Sequence, residues 1–80
     1  MKPIKTATSN VVAANIKQMM NKLDISITDL ATVMNVSRGT IYNRFLKPEE
    51  FQIGELDKLA AYGKKHGMPR LTAESFFKMG

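Results

Sequence analysis

Two helix signals separated by a turn of about three residues most constrain how this 80-residue chain can fold. Asn35 can end one helix, because asparagine tolerates the left-handed backbone conformation that many helix ends adopt. Ser37 can cap the next helix, since its hydroxyl accepts a hydrogen bond from a free backbone N–H. The apolar residues on either side recur at helical spacing and form the inward faces of the pair: Leu30, Ala31, Met34, Ile41 and Phe45.

Helical spacing of apolar residues also marks the chain before this pair. A first helix is predicted over residues 9–23, with Ser9 or Asn10 as its cap. Thr28 is predicted to cap the second helix, because its hydroxyl can accept a bond from a backbone N–H. Strand signals are absent, since β-branched residues do not alternate with polar residues over any long run.

Two further helices are predicted after the pair. Pro48 lacks an N–H and disfavours helix at the residue before it, so the third helix should end just ahead of it. A fourth helix is predicted over residues 53–66, and a short fifth over 72–79 with Thr72 as its cap. The sequence therefore predicts an all-α fold, a compact bundle of about five short helices.

The distribution of charge narrows the choice of partner. The net charge of +5 lies in residues 1–47, which hold seven Lys or Arg and two Asp. Residues 48–80 are balanced, with five basic and five acidic side chains. A one-sided basic surface favours a polyanion, although charge that serves only solubility explains the same pattern equally well.

The length allows one domain, predicted over residues 9–80 behind a flexible basic arm over residues 1–8. Lys2 and Lys5 in that arm either enter a DNA minor groove or belong to a merely mobile tail. No signal peptide is visible, and no apolar run approaches the roughly 20 residues that span a bilayer. We expect a cytoplasmic protein with no membrane partner.

The residue types present give little indication of a catalytic or metal-binding site. The chain has no cysteine, so it offers no thiolate ligand and no disulfide. The one histidine, His66, lies beside two lysines near a helix end, where it is expected to complement the helix dipole. Acidic residues cluster at a helix start, and no partner completes a metal or catalytic set. We expect no enzyme, no cofactor, no metal and no small-molecule ligand.

Residues 27–46 meet the spacing requirements of a helix-turn-helix motif. Ala31 is small where the second helix crosses the first, and Asn35 can adopt the positive φ of the turn. Val36 is placed to fill the angle between the helices, and Ile41, five residues later, anchors the second one. The ordered combination of these residues is more specific than any one of them.

With these residues the chain resembles the lambda-repressor-like family, the Cro and XRE type of phage and bacterial regulators. The resemblance covers about residues 10–67, because the loop 47–52 and the stretch LDKLAAYG also match the loop and helix after the motif in that family. Three departures are visible. Asn35 replaces a usual glycine, and Ile27 precedes the second helix of the chain, at a position where many relatives have a phosphate-contacting glutamine.

The third departure is Arg44, which stands where the family usually has an apolar residue. Phe45 is therefore predicted to take over the packing, with Arg44 pointing toward solvent or phosphate. The resemblance implies that the helix over residues 37–46 lies in the DNA major groove. It implies phosphate contacts from Thr28, Ser37, Thr40, Arg44, Lys47 and, more weakly, Lys17.

Base readout is implied for four exposed positions of the same helix: Arg38, Gly39, Tyr42 and Asn43. Arg38 suits guanine and Asn43 suits adenine, since each side chain can form a bidentate contact with that base. Gly39 weakens the helix but lets the backbone approach the bases. The alternative, that these are plain exposed surface residues, fits the sequence as well.

The resemblance implies a sequence-specific, double-stranded DNA-binding transcriptional regulator. We expect a small phage or bacterial Cro-like repressor that acts by operator occupancy, because no effector domain follows residue 80. Phe76, Phe77 and Met79 either pack against the first helix or form a self-complementary patch for a homodimer. The rival function is a helix-turn-helix-derived protein-interaction module, such as an antirepressor, that does not read DNA.

Overall fold

The computed structural model describes residues 6–78, with side chains from residue 10 onward. This part of the chain forms helices α1 (Thr6–Leu23), α2 (Ile27–Met34), α3 (Arg38–Leu46) and α4 (Ile53–Lys65), and 3₁₀ helices at Pro48–Glu50 and Ala73–Phe77. It contains no strand, so the predicted all-α fold is confirmed. None of these helices combines the length and the apolar composition needed to cross a membrane.

Helix α1 begins three residues earlier than predicted. Ser9 and Asn10 lie inside it and do not cap it, because neither glycine nor proline interrupts the chain after Thr6. The last three residues of the predicted arm over 1–8 are therefore helical. Lys2 and Lys5 lie outside the described residues.

Ser26 caps helix α2, so the prediction of Thr28 as its cap is wrong. The Ser26 hydroxyl accepts a hydrogen bond from the Asp29 N–H at 3.2 Å, and the Asp29 carboxylate accepts one from the Ser26 N–H at 2.9 Å. This reciprocal capping box satisfies two free donors with one pair of side chains. Thr28 follows inside the first turn, where no cap is needed.

The turn between α2 and α3 has the predicted conformation. Asn35 lies in the left-handed region, with φ 59° and ψ 47°. The Val36 N–H then donates to the Ala31 carbonyl at 3.0 Å, which closes the end of α2. Ser37 caps α3, since its hydroxyl accepts a bond from the Thr40 N–H at 3.1 Å. Two helices joined by a turn over residues 35–37 therefore lie between residues 27 and 46, as predicted.

A single core is formed by all four helices together with residues from the loop before α4 and from the segment after it. Phe51, in the predicted break after α3, is fully buried. Its ring meets the half-buried Phe45 edge to face at 5.9 Å between centroids, so Phe45 does contribute packing as predicted. The other large side chains with almost no exposure are Val12, Ile16, Met19, Leu30, Met34, Ile41, Leu56, Leu59 and Phe76.

Helix α4 ends one residue before the predicted boundary, and His66 occupies the capping position. The His66 N–H donates to the Gly63 carbonyl at 3.2 Å. Its ring stacks on Tyr62 with 4.0 Å between centroids. This agrees with the expected role of His66 at a helix end.

The predicted fifth helix is the shorter 3₁₀ helix Ala73–Phe77, which Thr72 precedes as the capping residue. It is held against α1 by Asn15. The side-chain amide of Asn15 donates to the carbonyls of Phe76 at 2.8 Å and Lys78 at 2.7 Å. These two bonds fix the segment in the absence of a longer helical hydrogen-bond pattern.

Of the three residues suggested for a dimer patch, Phe76 is only 1% exposed and belongs to the core. The dimer assignment is therefore wrong for Phe76, because its ring is enclosed within one chain. Phe77 is half-buried and packs against the same core. Met79 lies outside the described residues.

Candidate nucleic-acid interface

Helix α3 is fixed to the body of the protein along one face. Ile41, at the middle of this helix, has no solvent exposure. Val36 before it and Phe45 after it are half-buried against the core. With its start held by the Ser37 cap, α3 has a defined orientation, and its opposite face is left open to solvent.

The four residues predicted to read bases all lie on this open face. Arg38, Tyr42 and Asn43 have exposed side chains, and Gly39 is exposed as well. Positions 38 and 42, like 39 and 43, are four residues apart, so they follow one another along the same side of the helix. Among the described residues no side chain bonds to Arg38, Tyr42 or Asn43. Their donors and acceptors face outward without internal partners.

Leu46 extends this face and was not singled out from the sequence. Its side chain is 80% exposed, more than the 57% of Tyr42. Leu46 lies four residues after Tyr42 and eight after Arg38, so the same spacing could have identified it. The open face of α3 is therefore a polar stripe that ends in an exposed apolar side chain.

The start of α3 presents backbone donors. The first intrahelical bond runs from the Ile41 N–H to the Ser37 carbonyl, so the N–H groups of Arg38 and Gly39 precede it. The hydroxyls of Ser37 and Thr40, both predicted to contact phosphate, bond to each other at 3.0 Å. Their first role is thus to cap the helix, and the partial positive charge at this end comes from the backbone.

The start of α2, where Thr28 was predicted to contact phosphate, has a different electrostatic character. Thr28 is exposed in the first turn, but Asp29 is adjacent. Hydrogen bonds from the Ser26 N–H, and secondarily from its hydroxyl, lower the pKa of the Asp29 carboxyl. A charged carboxylate therefore lies at this helix end, and it opposes the approach of a phosphate to Thr28.

Arg44 does not point toward solvent, so that prediction is wrong. Its Nε and Nη2 donate to the two Glu55 carboxylate oxygens at 3.2 and 3.1 Å, and Nη1 lies 3.6 Å from Glu50. Glu55 also accepts the Gln52 N–H at 3.0 Å, where it caps α4. Glu55, at the start of α4, and Glu50, at the end of the preceding 3₁₀ helix, thus bind the Arg44 guanidinium, and its charge is neutralised within the fold.

Lys17 and Lys47 are the exposed cations beside the second half of α3. The Lys17 Nζ lies 5.3 Å from the centroid of the Phe45 ring, at the distance of a cation–π contact. Lys47 follows α3 directly and borders a shallow depression together with Asn43, Leu46 and Glu50. Lys47 thus lies next to Asn43 and Leu46 of the open face, whereas Lys17 lies beside Phe45, on the side of α3 that packs against the core.

No protein-family model, no curated protein and no solved structure matches this chain.

Proposed function

We propose that this protein is a sequence-specific regulator of transcription that binds double-stranded DNA with α3 in the major groove. One observation carries the proposal: α3 is anchored by the buried Ile41 and presents unpartnered Arg38, Tyr42 and Asn43 on its other side. A major groove admits one α-helix, and its base edges offer acceptors and donors at the spacing of such side chains.

Each residue of the open face has a distinct role in this proposal. Arg38 forms a bidentate contact with the O6 and N7 atoms of a guanine, and Asn43 forms one with an adenine. Gly39, which has no side chain, lets the helix backbone approach the bases closely. Tyr42 donates its hydroxyl to a phosphate, and Leu46 contacts the methyl group of a thymine.

Phosphate contacts position the helix in this proposal. The N–H groups at the start of α3 take one phosphate, and Lys47 and Lys17 take others near its end. Arg44 is excluded because Glu55 neutralises it. With two phosphates neutralised by lysines per copy, the logarithm of affinity falls with the logarithm of salt concentration with a slope of about −2 per copy.

We also propose that two copies bind an inverted repeat and repress transcription by occupying it, as the resemblance to Cro-type regulators implies. Half-sites about one helical turn apart would place both α3 helices on one face of the DNA. Because the Phe76 ring is enclosed in the core, the contact between copies must use other residues.

Selection of binding sites from random duplex DNA tests the proposal. The experiment is done at roughly 0.15 M salt, where non-specific binding is weak, and the bound pool is sequenced. We expect enrichment of an inverted repeat. The Arg38→Ala variant should lose discrimination at one base pair of each half-site, by about 1–3 kcal/mol.

Arg70→Ala is the matched control, since it removes an exposed arginine that lies outside α3. It should leave discrimination at every position unchanged. If the folded protein enriches no sequence, the DNA-reading function is wrong. The chain is then better explained as a protein-interaction module built on a helix-turn-helix fold.

A further inference from the structure

A groove on another part of the surface runs between α1 and the segment after α4. It consists of two depressions of about 330 and 380 Å³. They adjoin, because both are bordered by the same four residues: Lys22, Met68, Leu71 and Ser75. None of the residues that line the groove belongs to α2, α3 or α4, so it is separate from the candidate nucleic-acid interface.

The floor of the groove is apolar. Met19, Leu71 and Phe76 are almost fully buried beneath it, and the half-buried Met68 forms part of its wall. Methionine side chains are flexible and polarisable, so such a surface can adapt to apolar groups of different shape. The two depressions follow one another along the groove, and both are open to solvent. This shape suits an elongated ligand that places one side chain in each depression.

The rim of the groove is cationic. Lys22 lies on the α1 side, while Arg70 and Lys78 lie on the opposite side, and all three are exposed. None of them forms an ion pair with another described residue. No acidic residue lines either depression. Three positive charges without internal partners thus surround an apolar floor.

We propose that this groove binds an acidic peptide segment of a partner protein. An apolar side chain of the peptide covers Met68 and Leu71, and flanking carboxylates pair with Lys22, Arg70 and Lys78. Charge complementarity selects this occupant over a second copy, because two copies meeting groove to groove would oppose like charges. It is also favoured over nucleic acid, whose phosphate backbone offers no apolar group for the floor.

The interaction requires no change in α3, so it gives the protein a second binding surface independent of the proposed DNA contact. A partner held here can be recruited to, or removed from, the site where the protein is bound. This proposal does not depend on DNA reading, and its test uses the free protein.

Selection from a displayed library of random 12-residue peptides, at 0.15 M salt, tests the proposal. We expect enriched peptides to combine Asp or Glu with Leu, Phe or Met. A synthetic copy of an enriched peptide, added to ¹⁵N-labelled protein, should shift the amide signals of Lys22 and of the non-proline residues among 67–71. The signals of residues 38–43 should not move.

Charge reversal supplies the matched pair of variants. Lys22→Glu combined with Arg70→Glu should weaken peptide binding about tenfold or more, because each substitution turns an attraction into a repulsion. Lys64→Glu combined with Lys65→Glu makes the same change of charge in the last turn of α4, outside the groove. It should change the affinity less than twofold.

Three results would overturn the proposal. The first is enrichment of no acidic, apolar motif, as expected if a second copy or the end of the chain fills the groove. The second is equal weakening by both charge-reversed variants, which would mean attraction to net charge alone. The third is loss of non-specific DNA binding in the Lys22 and Arg70 variant with peptide binding unchanged.

Discussion

Arg44 and Glu55 are joined by two hydrogen bonds, and their side chains are only 20% and 11% exposed. The pair connects the end of α3 to the start of α4, so it fixes the position of the proposed reading helix. The Arg44 guanidinium stabilises the charge of Glu55, because a carboxylate at that depth loses most of its hydration. Arg44 is thus a structural residue beside the open face of α3.

Replacing Arg44 with alanine should lower the free energy of unfolding by about 2–3 kcal/mol, because Glu55 is left as a mostly buried charge without its cation. Urea denaturation measures the loss. Glu55→Gln is the matched partner, since glutamine keeps an acceptor for the Gln52 N–H. The double variant should lose less stability than the sum of the two single variants. Strict additivity would contradict the role assigned to the pair.

Gly39→Ala should have opposite effects on stability and on DNA binding. The nearest atom to a Cβ built at position 39 is the Ser37 Oγ at 3.8 Å, so a methyl group fits. Alanine should therefore raise the free energy of unfolding by about 0.5–1 kcal/mol through helix propensity. The same methyl group should weaken DNA binding several-fold by holding the backbone away from the bases. Thermal melting and titration with a selected duplex measure the two effects, and an unchanged affinity would remove Gly39 from the interface.

At the scale of the helices, the correct predictions came from residues whose own conformational preferences determine where a helix begins or ends. Asn35 and Ser37 specify the turn through their own backbone and hydroxyl preferences, and both predictions are confirmed. The start of α2 was misplaced because Thr28 and Ser26 are both good caps. Only Ser26 has an acidic residue three positions later, the spacing of a capping box.

The Ser26–Asp29 capping box predicts a dependence of stability on pH. Its hydrogen bonds hold the pKa of Asp29 below the ordinary value of 3.8. A carboxyl whose pKa is lower in the folded state stabilises the fold above that ordinary value, and the contribution is lost as the pH falls through the folded pKa. The stability difference between the wild type and Asp29→Asn should therefore be full at pH 7 and smaller at pH 3, which lies below the ordinary value. Urea denaturation at both values checks this, and a difference unaffected by pH would contradict it.

At the scale of the whole molecule, contacts between distant parts of the chain were the ones missed. Phe51 follows a proline in a predicted break, yet the 3₁₀ helix Pro48–Glu50 turns it into the core. The Asn15 amide bonds to carbonyls more than sixty residues away. Arg44 finds its partner on the next helix. Such contacts depend on how complete helices pack against one another. The spacing of residues within one helix does not predict that packing.

Phe76 and Phe77 provide a matched test of the packing at the end of the described chain. Phe76→Ala should lower the free energy of unfolding by about 3–5 kcal/mol, since it leaves a cavity in the core. Phe77→Ala should cost clearly less, because Phe77 is only half-buried. Denaturation curves compare the two. A Phe76→Ala protein of unchanged stability but altered oligomeric state would instead support a role between copies.

The buried methionines make the core sensitive to oxidation whenever it opens. The chain has no cysteine, so its sulfur atoms are the thioethers of six methionines. Peroxide can reach the half-buried Met20 and Met68 in the folded protein, but it reaches Met19 and Met34 only when the core opens. A sulfoxide is polar and does not repack among apolar side chains. Under oxidising conditions, oxidation of Met19 or Met34 during an opening of the core can thus prevent the protein from refolding. The rate at which these two methionines are oxidised therefore reports how often the core opens.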